Sequence, residues 1–172
     1  MRSFGTQRRT DRKQAIELLR GGPESIARWN SWRFLGREPL RLSYCNLAGA
    51  DLSGADLAGV DLHASNLRHT KLIGANLTGA DLRRCNLEAA DLSGAVLRSA
   101  NLRAANLRAA NLVSTDLRSA NVRRASFKQA RTDEQTLWPD RVNPLGDPAA
   151  PPRRRWRRRT DKPFTPSDGN EE

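Results

Sequence analysis

Residues 50–79 are ADLSG-ADLAG-VDLHA-SNLRH-TKLIG-ANLTG, six successive blocks of five residues with a leucine at the centre of each. The spacing extends from Leu42 to Phe127 as 18 blocks, of which 16 are centred on leucine and the last two on Val122 and Phe127. Two places before the centre, 11 blocks carry alanine, and one place before it, 14 carry Asp or Asn. A period this regular predicts a repeat architecture rather than a set of independent helices and strands.

The period of five excludes both a continuous helix and an ordinary strand. Five residues of an α-helix advance by about 500°, so successive leucines would spiral around the axis. In a strand, side chains alternate with period two, so leucines five apart would fall on opposite faces. If each block is instead one short extended side followed by a turn, the small residue and the leucine both point inward. Stacked blocks then bury a continuous core, as in a solenoid.

Spacing alone leaves open how many sides make one coil. The blocks Ala50–Gly54, Ala55–Gly59 and Ala75–Gly79 resemble the A(D/N)LXX consensus of the pentapeptide-repeat family, and the resemblance covers about half of the chain. It implies an all-β fold, a right-handed quadrilateral β-helix with four blocks per coil. Eighteen blocks would make about 4.5 coils and, at about 4.8 Å between strands, a rod a little over 20 Å long.

Four blocks per coil would stack residues that are twenty apart. Asn46, Asn66, Asn86 and Asn106 would then share a column and form an amide ladder. The many Asp residues are expected to stabilise turns by accepting hydrogen bonds from nearby backbone N–H groups.

The two cysteines, Cys45 and Cys85, fall in one inward column but lie two coils apart. Their separation of about 10 Å exceeds the reach of a disulfide, so both are predicted to be reduced and buried. Reduced thiols agree with a cytoplasmic location.

The segments around the repeat are expected to cover its ends. We predict an N-terminal arm and helical cap over 1–39, the β-helix over 40–131, a C-terminal cap over 132–143 and a disordered Pro/Arg-rich tail over 144–172. An uncovered end would expose strand edges and favour pairing with a second copy. The resemblance implies that such pairing would use the C-terminal end, so a homodimer through that end is the alternative to the second cap.

Two short helices are predicted ahead of the repeat. The first is expected to begin at Thr10 or Asp11, either of which can cap free N–H groups, and to end at Gly21-Gly22. Pro23 suits the first position of the second helix, whose Trp29 would face the first coil. At the other end, Phe127 is expected to meet a cap that involves Leu137, Trp138 and Pro139.

The sequence offers no pattern typical of an enzyme. His63 and His69 would lie on different sides of the rod, and no group of His, Cys or carboxylates has metal-ligand spacing. No phosphate-binding loop or nucleophile motif occurs. We therefore expect a protein without catalytic activity, metal or cofactor. Since no run of about 18 apolar residues and no secretory signal is present, we expect a soluble protein of the cytoplasm.

The charge of +11 is distributed unevenly along the repeat. Residues 40–81 carry 3 basic and 4 acidic side chains, net −1, whereas residues 82–131 carry 10 and 3, net +7. Such an excess favours anionic partners such as nucleic acid, acidic proteins or lipid head groups. The alternative is that arginine only keeps an Ala/Leu-rich rod soluble.

Two sets of residues are the candidates for binding such a partner. The first consists of arginines that directly follow the central residue of a block and would point outward in columns: Arg83, Arg98, Arg103, Arg108, Arg118 and Arg123. Stacked like charges repel, so repeated arginine columns suit a surface that receives anions. The second set lies in the tail and surrounds one indole with six arginines: Arg153, Arg154, Arg155, Trp156, Arg157, Arg158 and Arg159.

Three functional hypotheses follow. The leading one is a non-catalytic scaffold or interaction protein that binds an anionic or protein partner through its arginine-rich surface. The resemblance implies a second, because the quinolone-resistance branch of the family resembles DNA and binds type II topoisomerase such as gyrase; that role implies an acidic rod, and this one is basic. The third is non-specific binding of nucleic acid through the tail, which would weaken steeply with salt.

Overall fold

Each block of the repeat pairs with the block twenty residues further along the chain. Parallel bridges join Arg41 to Asp61, Asp61 to Asp81, and so on through every block. The structure, a computed structural model, describes residues 4–34 and 41–140. Pairing at intervals of twenty means that one coil contains four blocks, which confirms the four-sided coil expected from the resemblance. The tail predicted over 144–172 lies outside the described residues.

The four sides of the solenoid are named here by their bridging residues. Side A carries Arg41, Asp61, Asp81, Asn101 and Asn121; side B carries Asn46, Asn66, Asn86, Asn106 and Ser126; side C carries Asp51, Lys71, Asp91, Asn111 and Arg131; side D carries Asp56, Asn76, Val96, Asp116 and Leu137. The turns between sides form four edges, named AB, BC, CD and DA. Edge AB, for instance, contains residues 43–44, 63–64, 83–84, 103–104 and 123–124.

Pairing continues beyond the last regular block, so the solenoid has five full coils instead of the predicted 4.5. Leu137 pairs with Asp116 across 21 residues instead of twenty, which places one extra residue in the last turn. The N–H of Leu117 donates to the carbonyl of Leu137 at 2.7 Å. Trp138 then takes the central position, and its ring meets Phe127 edge-on with centroids 5.3 Å apart. The predicted contact of Phe127 with the C-terminal segment is thus confirmed, although this segment completes a coil.

The core consists of the central leucines and the small residues two places before them, as predicted. The central leucines from Leu42 to Leu117 are all at most 1% exposed. Where the small residue is polar, its hydroxyl donates to a backbone carbonyl. Ser65 and Thr115 reach the preceding coil, at 3.0 Å from the oxygen of Leu42 and 2.8 Å from that of Leu92, whereas Thr70 donates to Leu67 of its own coil at 2.7 Å. Every such buried hydroxyl is therefore satisfied without interrupting the stack.

The two thiols are free and buried, which confirms the prediction that they do not pair. Cys85 Sγ lies 2.9 Å from the carbonyl oxygen of Leu62, in the same role as the Ser65 hydroxyl one coil earlier. Burial raises the pKa of Cys85 to about 12. A thiol in this state is a small core residue and does not supply a nucleophile.

The turns explain the Asp and Asn positions. The carboxylate or amide oxygen accepts the backbone N–H two residues further on, as between Asp51 and Ser53 at 3.1 Å and between Asn66 and Arg68 at 3.2 Å. The second turn residue has a positive φ in all 18 blocks, between 53° and 71°. Glycine occupies this position in six blocks, and side chains occupy it in the other twelve. A side chain in this left-handed conformation costs about 1–2 kcal/mol.

Replacing Ala109 by glycine is therefore expected to raise the free energy of unfolding by about 0.5–1 kcal/mol. Ala109 is exposed and has a φ of 56°. The matched reverse change is Gly79→Ala, at a φ of 66°, where an added Cβ would meet no atom within 4 Å. It should lower stability by a similar amount through backbone strain alone. Urea unfolding of both variants checks this, and unchanged midpoints would contradict it.

Two helices close the N-terminal end, α1 over Phe4–Arg20 and α2 over Pro23–Phe34. The predicted start of α1 at Thr10 or Asp11 is wrong by at least six residues, because Gln7, Arg8 and Arg9 are good helix formers and let the helix continue toward Phe4. The start of α2 at Pro23 is confirmed.

Helix α2 is anchored to the first coil by side chains that reach its backbone. Trp29 is fully buried, and its Nε1–H donates to the carbonyl of Asp56 at 2.8 Å. Asn30 donates to the carbonyl of Gly54 at 3.0 Å and accepts the N–H of Asp56 at 2.8 Å. These bonds satisfy backbone groups at the open end of the solenoid. Neither of these helices has the length and apolarity needed to cross a bilayer.

Candidate functional site

The excess positive charge of the repeat lies on one of its four sides. Side B with its two edges AB and BC carries eight basic residues and one acidic residue, net +7. The rest of the repeat over 41–131 carries five basic and six acidic residues, net −1. We call side B with these edges the basic face. Its charged residues are Arg83, Arg84, Arg103, Arg123 and Arg124 on edge AB, and Arg68, Glu88, Arg108 and Lys128 on edge BC.

The structure separates the arginines predicted from the sequence into two groups. Arg83, Arg103 and Arg123 lie on edge AB and Arg108 on edge BC, so four of the six belong to the basic face. The remaining two, on edge DA, are Arg98 and Arg118. The tail candidates Arg153, Arg154, Arg155, Trp156, Arg157, Arg158 and Arg159 lie outside the described residues.

Arg98 and Arg118 are both committed to one carboxylate. The Arg118 guanidinium donates to Asp116 at 2.8 and 3.0 Å, and Arg98 Nε donates to the same carboxylate from the coil before. Asp116 is the most buried of these groups, at 8% exposure. The hydrogen bonds from Arg118, followed by that from Arg98, hold the pKa of Asp116 well below its usual range. Because both arginines pair with Asp116, they have less positive charge to offer a partner than arginines without an acidic neighbour.

Replacing Asp116 by asparagine is expected to destabilise the protein at pH 7 and to reduce its loss of stability in acid. Because folding lowers the pKa of this carboxyl, its contribution is present above the unfolded pKa, near 4, and is lost as the pH falls through the lower folded value. The gap in unfolding free energy between wild type and variant should stay constant from pH 7 to about 5 and narrow below pH 4. Urea unfolding at pH 7, 4 and 2 measures it, and a gap independent of pH would contradict this role.

On the basic face, most cations lack such partners. Arg83 is the exception on edge AB, since it forms an ion pair with Asp81 at 2.5 Å, which lowers the pKa of that carboxyl. On edge BC, Arg68 lies 3.5 Å from Glu88, and Arg108 donates to Gln129 at 3.3 Å. Among the described residues, no hydrogen bond or ion pair engages the side chains of the other cations on this face: Arg84, Arg103, Arg123, Arg124 and Lys128.

Side B itself is a neutral strip between the two basic edges. The amide of Asn66 donates to Asn46 at 3.2 Å, and that of Asn106 donates to Asn86 at 3.1 Å. The predicted amide ladder is therefore present at these steps. Arg20 adds a cation at the N-terminal end of the strip, where its guanidinium donates to the carbonyl of Asn46 at 3.0 Å.

Sequence reasoning missed Arg84 and Arg124. Both occupy the second turn position, with φ values of 56° and 61°, where a side chain is strained. The columns considered from the sequence contained only the first turn residue after each leucine. The twenty-residue stacking could have identified both, had the second turn residue been included. Beside Arg123 and Arg124, a depression of about 600 Å³ opens at the C-terminal end of side A and extends to Pro139 and Asp140.

The described residues bring together no group of three or more His, Cys, Asp or Glu side chains suited to a metal ion. The charged groups instead form an extended surface. A surface of this kind can bind a long anion by many weak contacts.

The comparisons with known proteins agree with this fold. A family model described as pentapeptide repeats matches residues 41–72, 62–98 and 95–131, which together cover more than half of the chain. No curated protein matches the chain.

Three solved structures show the extent of the similarity. HetL of the cyanobacterium Nostoc, a pentapeptide-repeat protein involved in regulation of heterocyst differentiation, is 35% identical over 53% of this chain and 48% of its own, with a TM-score of 0.43. The chain thus spans about half the length of HetL. The Nostoc protein alr5209 is 32% identical over 70% of this chain and 89% of its own, with a TM-score of 0.32. QnrB1, a plasmid-mediated fluoroquinolone resistance protein, is 13% identical over 52% and 60%, with a TM-score of 0.18.

Proposed function

The chain belongs to the pentapeptide-repeat family, whose repeats form a right-handed β-helix, and we propose that it is a non-catalytic interaction protein that binds an anionic partner through its basic face. The observation that carries this proposal is the segregation of charge, net +7 on side B and its edges against net −1 on the rest of the repeat. If arginine served only solubility, charge on any side of the rod would serve equally well.

The electrostatic repulsion among the arginines of edge AB supports the same proposal. On edge AB, arginines stand in three successive layers about 4.8 Å apart, and they repel one another. The fold neutralises arginines elsewhere, as Asp116 does for Arg98 and Arg118. Edge AB has one such pair, between Arg83 and Asp81, and leaves the others exposed to solvent. An anion that approaches this edge would relieve the repulsion and release counterions.

The topoisomerase hypothesis is not favoured by these charges. A protein that resembles DNA must present acidic groups, and the basic face presents Glu88 as its single carboxylate. The tail hypothesis remains a competing proposal, because Arg153–Arg159 would also bind anions.

The proposal is tested by the affinity of the full chain for inorganic polyphosphate as a function of salt. Replacing Arg103 and Arg123 by glutamine should weaken binding about tenfold and reduce the slope of log K against log salt by about 2. Lys71→Gln with Arg131→Gln on side C is the matched control, with the same change of net charge and no expected effect beyond about twofold.

A third variant, with Arg153, Arg154 and Arg155 replaced by glutamine, separates the face from the tail. If only this variant lost affinity, the tail hypothesis would replace the present one. Equal losses in the Arg103/Arg123 variant and the side C control would mean that net charge alone governs binding, and would also overturn the proposal.

A further inference from the structure

We infer that edge AB binds single-stranded nucleic acid, with Tyr44 stacking on a base and the arginines of the later coils holding the phosphates. The inference rests on the proposed function and names its ligand. It arises from a juxtaposition along one edge: an exposed aromatic ring in the first layer, and exposed arginines in the third, fourth and fifth layers.

Tyr44 is held in position while its ring stays open to solvent. The side chain is 73% exposed although the backbone at Tyr44 is fixed, with its N–H donating to the carbonyl of His63 at 2.8 Å. The His63 ring meets it edge-on, with centroids 5.5 Å apart and an interplanar angle of 87°. A ring supported from one side and exposed elsewhere is a suitable platform for a base, because bases stack on aromatic side chains with little sequence preference.

The residues at the strained turn position distinguish this edge from edges CD and DA. On edges CD and DA, the residue with positive φ is glycine or serine in every regular block: Gly54, Gly74, Gly94, Ser114, Gly59, Gly79, Ser99 and Ser119. Edge AB has no glycine there and carries Tyr44, Ala64, Arg84, Ala104 and Arg124, whereas edge BC has one glycine and carries Gly49, His69, Ala89, Ala109 and Gln129. A bulky residue with positive φ is an outlier, and such strain tends to persist where it serves a function. On edge AB these positions hold the aromatic ring and two guanidinium groups that form no hydrogen bond or ion pair with another described residue.

The dimensions of the edge suit a single strand. Tyr44 and Arg124 are four layers apart, about 19 Å at 4.8 Å per layer. At about 3.4 Å for each stacked nucleotide, this length accommodates on the order of five nucleotides. In a duplex the base faces are already stacked and only the groove edges are accessible, so Tyr44 would have no base to receive. An acidic peptide would use the arginines and gain nothing specific from a base platform.

The test compares three probes on the full chain by fluorescence anisotropy: a dT12 oligonucleotide, a 12-base-pair duplex and inorganic polyphosphate. Wild type is expected to bind dT12 more tightly than the duplex. Tyr44→Ala should weaken dT12 binding at least about fivefold and change polyphosphate binding less than twofold. Tyr44→Phe keeps the ring and should retain dT12 affinity.

The controls address folding and the loss of an apolar side chain. Alanine already occupies this turn position at Ala64 and Ala104, so Tyr44→Ala is expected to fold. Ile73→Ala on edge CD serves as a control for loss of an exposed apolar side chain.

The outcomes distinguish this inference from the proposed function. If polyphosphate binds the basic face but Tyr44→Ala binds dT12 as tightly as wild type does, the single-strand inference is overturned and the proposed function stands. Tighter binding of the duplex than of dT12 has the same consequence. If neither polyphosphate nor dT12 binds, both fail together.

Discussion

Replacing Leu87 by alanine lowers the free energy of unfolding by about 3–5 kcal/mol, if the central leucines carry the fold as described. Leu87 is fully buried in the third coil, where the leucines of the coils before and after it, Leu67 and Leu107, are equally buried. Removal of its side chain leaves a cavity that these neighbours close only in part, because the backbone ladder fixes the spacing of the coils. Urea unfolding followed by circular dichroism measures the loss.

The matched control for this substitution is Leu137→Ala. Leu137 occupies a bridging position on side D and is 41% exposed, so the same truncation there is expected to cost less than about 1 kcal/mol. Equal losses at the two positions would contradict the assignment of central leucines to the core and bridging residues to the surface.

Replacing Trp29 by alanine is expected to cost about 3–5 kcal/mol as well, although the residue lies outside the repeat. Its indole is fully buried and packs against Trp32 with ring centroids 5.3 Å apart. Loss of Nε1 also leaves the carbonyl of Asp56 without this donor. Because a solenoid is stabilised by contacts between neighbouring coils, removal of the cap exposes the first coil and lowers the stability of the array.

Phe34→Ala in the same helix is the control for Trp29. Phe34 is 90% exposed, so its truncation should change the unfolding free energy by no more than about 0.5 kcal/mol. Unfolding is followed by far-ultraviolet circular dichroism, because removal of a tryptophan changes the fluorescence signal itself. A loss below about 1 kcal/mol for Trp29→Ala would show that α2 does not serve as a structural cap.

The sequence predicts this fold well because every block repeats the same pattern of buried and exposed positions. A leucine every fifth residue, with a small residue two places earlier, predicts coils of short sides and turns in which all of them are buried, as they are in the structure. The number of sides in a coil came from the family resemblance. Pro23 likewise marks a helix start on its own, since its fixed φ and missing N–H suit that position.

The features that the sequence did not predict depend on contacts between coils or on a break in the five-residue period. Asp116 forms an ion pair with Arg98, which lies eighteen residues earlier in the chain. The columns predicted from the sequence joined residues twenty apart, so they did not include this pair. The extra residue before Leu137 breaks the spacing, so completion of the fifth coil by Trp138 was not predicted. The segregation of charge onto side B likewise appears only when both turn residues of each block are assigned to an edge.

The most direct test of the basic face is to map its contacts in solution. Backbone amide shifts of the full chain are measured by nuclear magnetic resonance while inorganic polyphosphate is added. We expect the shifts to concentrate on edges AB and BC, including the amides of Ala104, Arg108 and Arg124, while those of Gly59 and Gly79 on edge DA stay unchanged. Shifts centred on edge DA, or confined to residues beyond Asp140, would contradict the assignment of anion binding to the basic face.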